Sequence, residues 1–369
     1  MGDRFFNFRN RTIASPRFRA WAEKLPIFQK VARHNSERLF TLAGGFIHSQ
    51  VLLACTRLGL FQLLRNGPMS VASIVEHVGS ERDALAHLLR AAAALELLEF
   101  RGEEFVGLGV LGASMVDNPA LECIIDHHEQ LYRDLIDPVG LFAGDSVAKH
   151  MRSLWPYATA NESSSAEGPG VERYTELMAT SQAMVAEQVL GAYSLRGHES
   201  LLDIGGGAGA FATAALQQWP QLAITVADLP AVANIARRRL ADDGLGDRIR
   251  VIGVDASRDA LPDGFDVVSL VRILHDHDDA MVRKLVRAAH GALEGGGTLV
   301  IAEPMADAPG AGRLIDAYFN VYLHAMGSGR PRRFADIECF LVAAGFSDVR
   351  RRTTRIPLVT SVITARKAG

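Results

Sequence analysis

The stretch LLDIGGGAGAF, residues 201–211, constrains this chain more than any other. An aliphatic run ends at Ile204, Gly205, Gly206, Gly207 and Gly209 follow, and an Ala-rich segment begins. Glycines there let the backbone turn tightly and approach a bound molecule closely, with a helix N-terminus aimed at it. Similar runs recur at AITVADL (223–229), IRVIGVD (249–255), FDVVSLV (265–271) and GTLVIAEP (297–304), most of them separated by helix-length segments. Continuous Val/Ile/Leu runs suit strands buried on both faces of a parallel sheet. The second half is therefore read as a doubly wound α/β domain. The closing DVRRRTTRIPLVTSVITARK (348–367) reads as two extended runs about Pro357 that form an antiparallel pair.

The first half has a different rhythm. HSQVLLACTRLGLFQLLRNG (48–67) reads as an apolar-periodic helix ended by Gly67-Pro68. SVASIVEHVG and SERDALAHLLRAAAALELLEF give two more, and RGEEFVGLGVLG a short β-wing, so a winged helix is expected. A DNA reader is the obvious rival, but the second of these helices sets Arg82 and Arg90 against Glu81, Asp83, Glu96 and Glu99. A helix facing phosphates should be basic. A formal charge of −3 likewise opposes a whole-surface nucleic-acid binder. Residues 1–40 are basic, with Arg4, Arg9, Arg11, Arg17, Arg19, Lys24, Lys30, Arg33 and Arg38 against Asp3, Glu23 and Glu37. Phe18, Trp21, Leu25 and Phe28 share a helical face that Pro26 must break or kink. Such an arm packs on its own protein or rests on an anionic membrane surface.

TANESSSAEGPG (159–170) reads as a hinge, followed by a long helix over 171–190. The expected organisation is an arm over 1–40, a helical domain over 41–165 and the α/β domain over 170–369. Three scattered cysteines (Cys55, Cys123, Cys339) exclude a disulfide framework and suit a reducing cytosol. No apolar run of roughly 18 residues or secretory signal is visible. A cytoplasmic protein is expected, with peripheral contact on the inner face of the membrane.

Two constellations carry chemistry. Asp203, Asp228 and Asp255 stand at three successive strand ends. A carboxylate two residues before the glycines repels a pyrophosphate but suits a cationic ligand. Asp228 is placed for ribose hydroxyls and Asp255 for an adenine amino group. The set describes an adenosine with positive charge and no phosphate, S-adenosylmethionine. Gly205, Gly207, Leu229, Ala256 and Arg272 complete the candidate cofactor set. The second constellation is RILHDHDD (272–279) with AEPM (302–305): His275 follows the fourth strand and Glu303 ends the fifth. An imidazole there can take a hydroxyl proton, oriented by Glu303 or Asp276. His277 is read as capping or facing solvent, His127-His128 and His290 receive no role, and no metal-ligand spacing is visible. Tyr318, Tyr322 and Met326, with Tyr132 opposite, are candidates for an apolar substrate wall.

In order and spacing, LLDIGGGAGAF, VADLP, VIGVDAS, RILHDHDD, GGTLVIAEPM and FLVAAGF resemble the caffeate- and acetylserotonin-type class I O-methyltransferases. The likeness covers about residues 40–369. It implies a Rossmann-like methyltransferase domain, with a mostly parallel seven-stranded sheet, preceded by a mainly α winged-helix dimerisation domain. It also implies a homodimer, S-adenosylmethionine bound at Gly205, Asp228 and Asp255, and His275 as base supported by Glu303. Three positions depart from the pattern. The family's second flanking Glu is missing from GSGRPRR near Pro331, His277 replaces the aromatic after His-Asp, and Val271 replaces a Lys. Residues 15–61 and 316–346 further resemble the bacterial hydroxyneurosporene (demethylspheroidene) O-methyltransferases. That likeness implies the tertiary hydroxyl of an acyclic carotenoid as acceptor. A tetrapyrrole (bacteriochlorophyllide) carbon, a polyketide or phenolic hydroxyl, another S-adenosylmethionine-dependent reaction and a winged-helix regulator remain as alternatives.

Overall fold

A computed structural model describes residues 2–22, 24–144, 149–154 and 182–369. The hinge expected over 159–170, the boundary at 165–170 and the start of the 171–190 helix lie outside the described residues. By spatial clustering the chain forms two compact units, Met1–Asp117 and Asn118–Gly369.

Unit one begins with helices α1 (Gly2–Ala14), α2 (Pro16–Ala22) and α3 (Pro26–Arg57). Pro26 opens α3, where a missing N–H costs nothing. The break brings Phe18, Trp21 and Phe28 together, with ring centroids 5.7–6.1 Å apart. The helix expected over 48–67 is divided: α3 stops at Arg57, Gly59 turns at φ +66°, and α4 (Leu60–Leu63) follows. By length and composition α3 could cross a membrane, because its apolar stretch is diluted by small and polar residues rather than charges. Phe40, Leu42 and Phe46 stand exposed on it. Strand β1 (Met69–Ser70), helices α5 (Val71–Val78) and α6 (Arg82–Ala94), then β2 (Leu98–Arg101), β3 (Phe105–Leu108) and α7 (Val110–Ala113) make the winged unit. Its small sheet has the order β1-β3-β2, all antiparallel.

Unit two starts with α8 (Pro119–Asp134), α9 (Pro138–Ala143), α10 (Lys149–Leu154) and a helix α11 over 182–192. The chain then alternates: β4 (Ser200–Ile204), α12 (Ala210–Gln218), β5 (Ala223–Asp228), α13 (Pro230–Asp242), β6 (Ile249–Gly253), β7 (Phe265–Val271), α14 (Asp279–Ala292) and β8 (Leu293–Glu303). Helices α15 (Gly312–Met326) and α16 (Phe334–Ala343) precede β9 (Phe346–Arg352) and β10 (Ser361–Lys367). The seven-stranded sheet runs β6-β5-β4-β7-β8-β10-β9, with β10 antiparallel to both neighbours and β4 to β8 mutually parallel. Leu201, Leu202, Val267, Val268, Leu270 and Leu299 are fully buried, which is what their unbroken aliphatic runs require. Strands β4, β5 and β6 advance toward one edge while β7 and β8 lie on the other side of β4. The crevice at the carboxyl ends of β4 and β7 is therefore the switch point where such sheets bind ligands.

Candidate active site

The glycine turn leaves β4 with Gly205, Gly207 and Gly209 at φ +69°, +57° and +82°, a region that side chains with a Cβ rarely enter. Beneath it Asp203 is fully buried. Ser269 Oγ donates to its Oδ1 at 2.6 Å, while Oδ2 has no hydrogen-bond partner. A Cβ on Gly206 would stand 2.5 Å from that Oδ2. Burial pushes the Asp203 carboxyl up to about 7, the nearby Asp228 adds to the rise, and the Ser269 bond opposes it. An orphaned acceptor in this position lacks a donor that a ligand could bring.

Asp228 ends β5 and ties it to the turn. Gly207 N–H donates to Oδ2 at 2.8 Å and Leu229 N–H to Oδ1 at 2.7 Å. Burial raises this carboxyl to about 6 against those two bonds, and each oxygen keeps a second lone pair. Asp255 follows β6 and is engaged by its own turn, accepting from Ser257 N–H (3.0 Å) and Ser257 Oγ (2.7 Å). Ala256 packs against the main core. Arg272 leaves β7 at φ +57°, its N–H donating to Ala302 O at 2.8 Å. Its charge acts on Asp276, Tyr318 and Tyr322, which places it toward the helix α15 side of the crevice.

His275 sits in a 3-10 turn, Leu274–Asp276, between β7 and α14, and is buried. Buried Glu303, the last residue of β8, organises this turn. Its Oε1 accepts from Ile273 N–H (3.0 Å) and Leu274 N–H (2.6 Å), and its Oε2 from His275 N–H (3.3 Å). The same Oε2 lies 2.5 Å from His275 Nδ1, so Nδ1 carries the proton and donates it. On the other side of the ring Nε2 stands 3.2 Å from Asp276 Oδ1. Burial lifts Asp276 to about 6; the His275 and Arg272 charges lower it and Glu303 raises it. The two orienting candidates thus hold different nitrogens. His277 is half-buried rather than facing solvent, and burial lowers it to about 4, leaving it neutral at physiological pH.

Phe319 meets the His275 ring edge-on at 5.6 Å and begins an aromatic wall on α15. Tyr318 and Tyr322 stack at 5.5 Å. Their hydroxyls are engaged by α8: Tyr318 with His128 Nε2 at 2.6 Å, Tyr322 with His127 Nε2 at 2.9 Å. Tyr132 stands edge-on to His128 at 6.2 Å. Met326 is buried at the base of this wall, in one cluster with Tyr322, Leu131, Leu141, Met151 and Leu323 against which Phe319 packs. The sequence reading gave His127 and His128 no role; each meets its tyrosine across about 190 residues, which no spacing rule reaches. Among the described residues no group of three His, Cys, Asp or Glu could hold a metal ion.

Comparison with known proteins agrees with this geometry. A family model for an O-methyltransferase domain matches residues 143–347, and one for an O-methyltransferase dimerisation domain matches residues 40–114. A demethylspheroidene O-methyltransferase of Rhodobacter capsulatus is 37% identical over 361 residues, covering 98% of this chain and 90% of its own. Its counterpart in Cereibacter sphaeroides is 38% identical over 356 residues, covering 96% and 93%. Among solved structures, human N-acetylserotonin methyltransferase in complex with SAM superposes with a TM-score of 0.73 at 25% identity, covering 91% of this chain and 98% of that one.

Proposed function

This chain belongs to the family of S-adenosylmethionine-dependent O-methyltransferases, and from that membership we propose that it methylates the tertiary hydroxyl of an acyclic hydroxycarotenoid. The observation that carries the chemistry is the buried His275–Glu303 pair at the carboxyl edge of the sheet, the edge that also bears the orphaned Asp203 oxygen.

When bound, S-adenosylmethionine supplies a methyl group on a cationic sulfonium, so the protein need only position the acceptor and remove its proton. The residues present fit that group. Asp203 Oδ2 is an unpaired buried acceptor for a cationic amino group, and Asp228 retains lone pairs for ribose hydroxyls. Gly205, Gly207, Leu229, Asp255, Ala256 and Arg272 complete the pocket in this reading. Glu303 holds the proton on Nδ1 and stabilises the imidazolium formed when His275 takes a proton. Nε2 stands 3.2 Å from Asp276 Oδ1. Below about 6 the Asp276 carboxyl carries a proton that it can turn toward Nε2, which leaves that nitrogen open for the acceptor's proton only above this value. The raised value of Asp276 sets the pH at which this happens.

The substrate class rests on the relatives, and the wall supports it. With their hydroxyls engaged by His127 and His128, buried Tyr322 backs the exposed ring of Tyr318, an aromatic surface that suits a polyene. The dimerisation domain makes the protein a homodimer, and exposed Phe40, Leu42 and Phe46 on α3 lie within the matched span. In the cytoplasm a membrane-dissolved acceptor must be met at the bilayer. Helix α1, with Phe5, Phe6 and Phe8 exposed among Arg4, Arg9 and Arg11, suits docking on anionic lipid. Cosedimentation with phosphatidylglycerol vesicles tests this: deletion of residues 2–22 should abolish binding, and unchanged binding refutes it. For the reaction, His275→Ala should cut turnover with S-adenosylmethionine affinity intact, while Asp228→Ala should weaken that affinity first. The reverse order would refute both roles.

A further inference from the structure

The segment GSGRPRR, residues 327–333, lies directly on the turn that bears His275. Gly329 adopts φ +83°, and a Cβ there would fall 2.0 Å from His275 O and 2.6 Å from Asp276 C. Nothing larger than glycine allows this approach. Arg330 N–H donates to His275 O at 2.9 Å. Two residues on, Arg332 is 2% exposed, and all three nitrogens of its planar fork donate. Nη1 donates to Leu274 O at 2.5 Å and Nη2 to His277 O at 2.7 Å, the two carbonyls that bracket His275 and Asp276. Nε and Nη2 donate to Asp279 Oδ1 at 3.1 and 2.8 Å, anchoring the guanidinium to the first turn of α14.

The turn is therefore gripped from two sides. Glu303 takes the amides of residues 273–275, and the 329–332 segment takes the carbonyls of residues 274, 275 and 277. Burying a guanidinium is costly, and packing alone could be met by an apolar side chain of similar size. What an apolar side chain lacks is donors in a rigid fork, aimed at two carbonyls three residues apart.

We propose that Arg332 is a positioning residue for methyl transfer. It fixes the height of the His275 ring and the spacing between Nε2 and Asp276, with Asp279 holding the guanidinium in place. This rests on His275 being the base. The role does not require Arg332 to touch the acceptor or S-adenosylmethionine.

The experiment compares Arg332→Lys, Asp279→Asn and His275→Ala with the parent enzyme. It uses labelled S-adenosylmethionine, a 1-hydroxycarotenoid in detergent, calorimetric cofactor binding and a pH profile of kcat. Arg332→Lys keeps the charge and loses the fork. Its kcat should fall about tenfold to a hundredfold, the cost of a small misplacement. KM and cofactor affinity should stay within about twofold, and the acidic limb of the pH profile should move. Asp279→Asn, whose side chain is partly exposed, should move the same limb with a smaller fall. A folded Arg332→Lys with the parent's kcat and pH profile overturns the proposal. If Arg332→Lys does not fold, an unmoved pH profile in Asp279→Asn overturns it instead. An inactive His275→Ala beside a fully active Arg332→Lys refutes this proposal alone. A fully active His275→Ala refutes the base, and this proposal with it.

Discussion

At the scale of single residues the site is a set of carboxylates kept from water, each with a different partner. Glu303 has four N–H donors on its two oxygens, Asp228 has two, and Asp203 has one hydroxyl and a bare oxygen. That gradient separates a structural hub from the groups proposed to meet the cofactor. It also sets a sign for cofactor binding. Asp203 and Asp228 are raised to about 7 and about 6, so below these values each is protonated in the free enzyme. A ligand that donates hydrogen bonds or brings positive charge binds the ionised forms. S-adenosylmethionine affinity should therefore rise from pH 5 to pH 8, and binding between these limits should release protons. Calorimetry in buffers of different ionisation enthalpy reads that release; proton uptake or none would contradict it. Removing the proposed base, by His275→Ala, should lower kcat by about 10²–10⁴-fold, the usual range for a general base. With Asp276→Asn, the acidic limb of the kcat profile near pH 6 should be lost or displaced; an unchanged limb would exclude Asp276 from the titration.

The elements show which parts of the chain were legible in advance. Strands β4, β5, β7 and β8 are readable because strands buried on both faces must be continuously aliphatic, while edge strand β6 keeps an aliphatic run broken by Arg250; the carboxyl ends carry Asp203, Asp228, His275 and Glu303 to one edge. The β9–β10 pair was readable from Pro357 between two extended runs. Helix α3 was not, because Gly44, Gly45 and His48 interrupt its apolar pattern while 32 residues still propagate as one helix. The second grip on the His275 turn was invisible for another reason. Arg332 reaches carbonyls 58 and 55 residues earlier, and backbone acceptors leave no mark in a sequence. The missing carboxylate near Pro331 was visible, but not the buried arginine's role beside it. The glycine turn yields an element-scale prediction. Gly206→Ala places a Cβ 2.5 Å from Asp203 Oδ2, so it should destabilise the domain by about 1–3 kcal/mol and weaken cofactor binding, read by thermal unfolding with and without ligand. Parent-like unfolding and affinity would mean that Asp203 can move aside.

At the scale of the whole molecule a winged dimerisation unit precedes a methyltransferase unit, for which the proposed acceptor is a lipid-like polyene. The three carboxylates Asp203, Asp228 and Asp276 are raised, so the native state binds their protons more tightly than the unfolded chain, and their contribution falls as pH climbs through 4 to 7. His128 and His277 are lowered, and their contribution is lost as pH falls below the unfolded imidazole value. The two trends oppose each other between pH 5 and 7, so the unliganded protein should show a shallow pH dependence of Tm there. Bound S-adenosylmethionine stabilises the ionised Asp203 and Asp228, so the liganded Tm should rise with pH relative to the unliganded one. An equal response in both states would separate these carboxylates from the cofactor. The central claim, a carotenoid O-methyltransferase, is tested most directly by isotope-labelled S-adenosylmethionine and a 1-hydroxycarotenoid in liposomes, read by mass spectrometry. The account predicts the label on the terminal oxygen. Unlabelled carotenoid, with the cofactor shown to be bound, would contradict it and move the search to tetrapyrrole and phenolic acceptors.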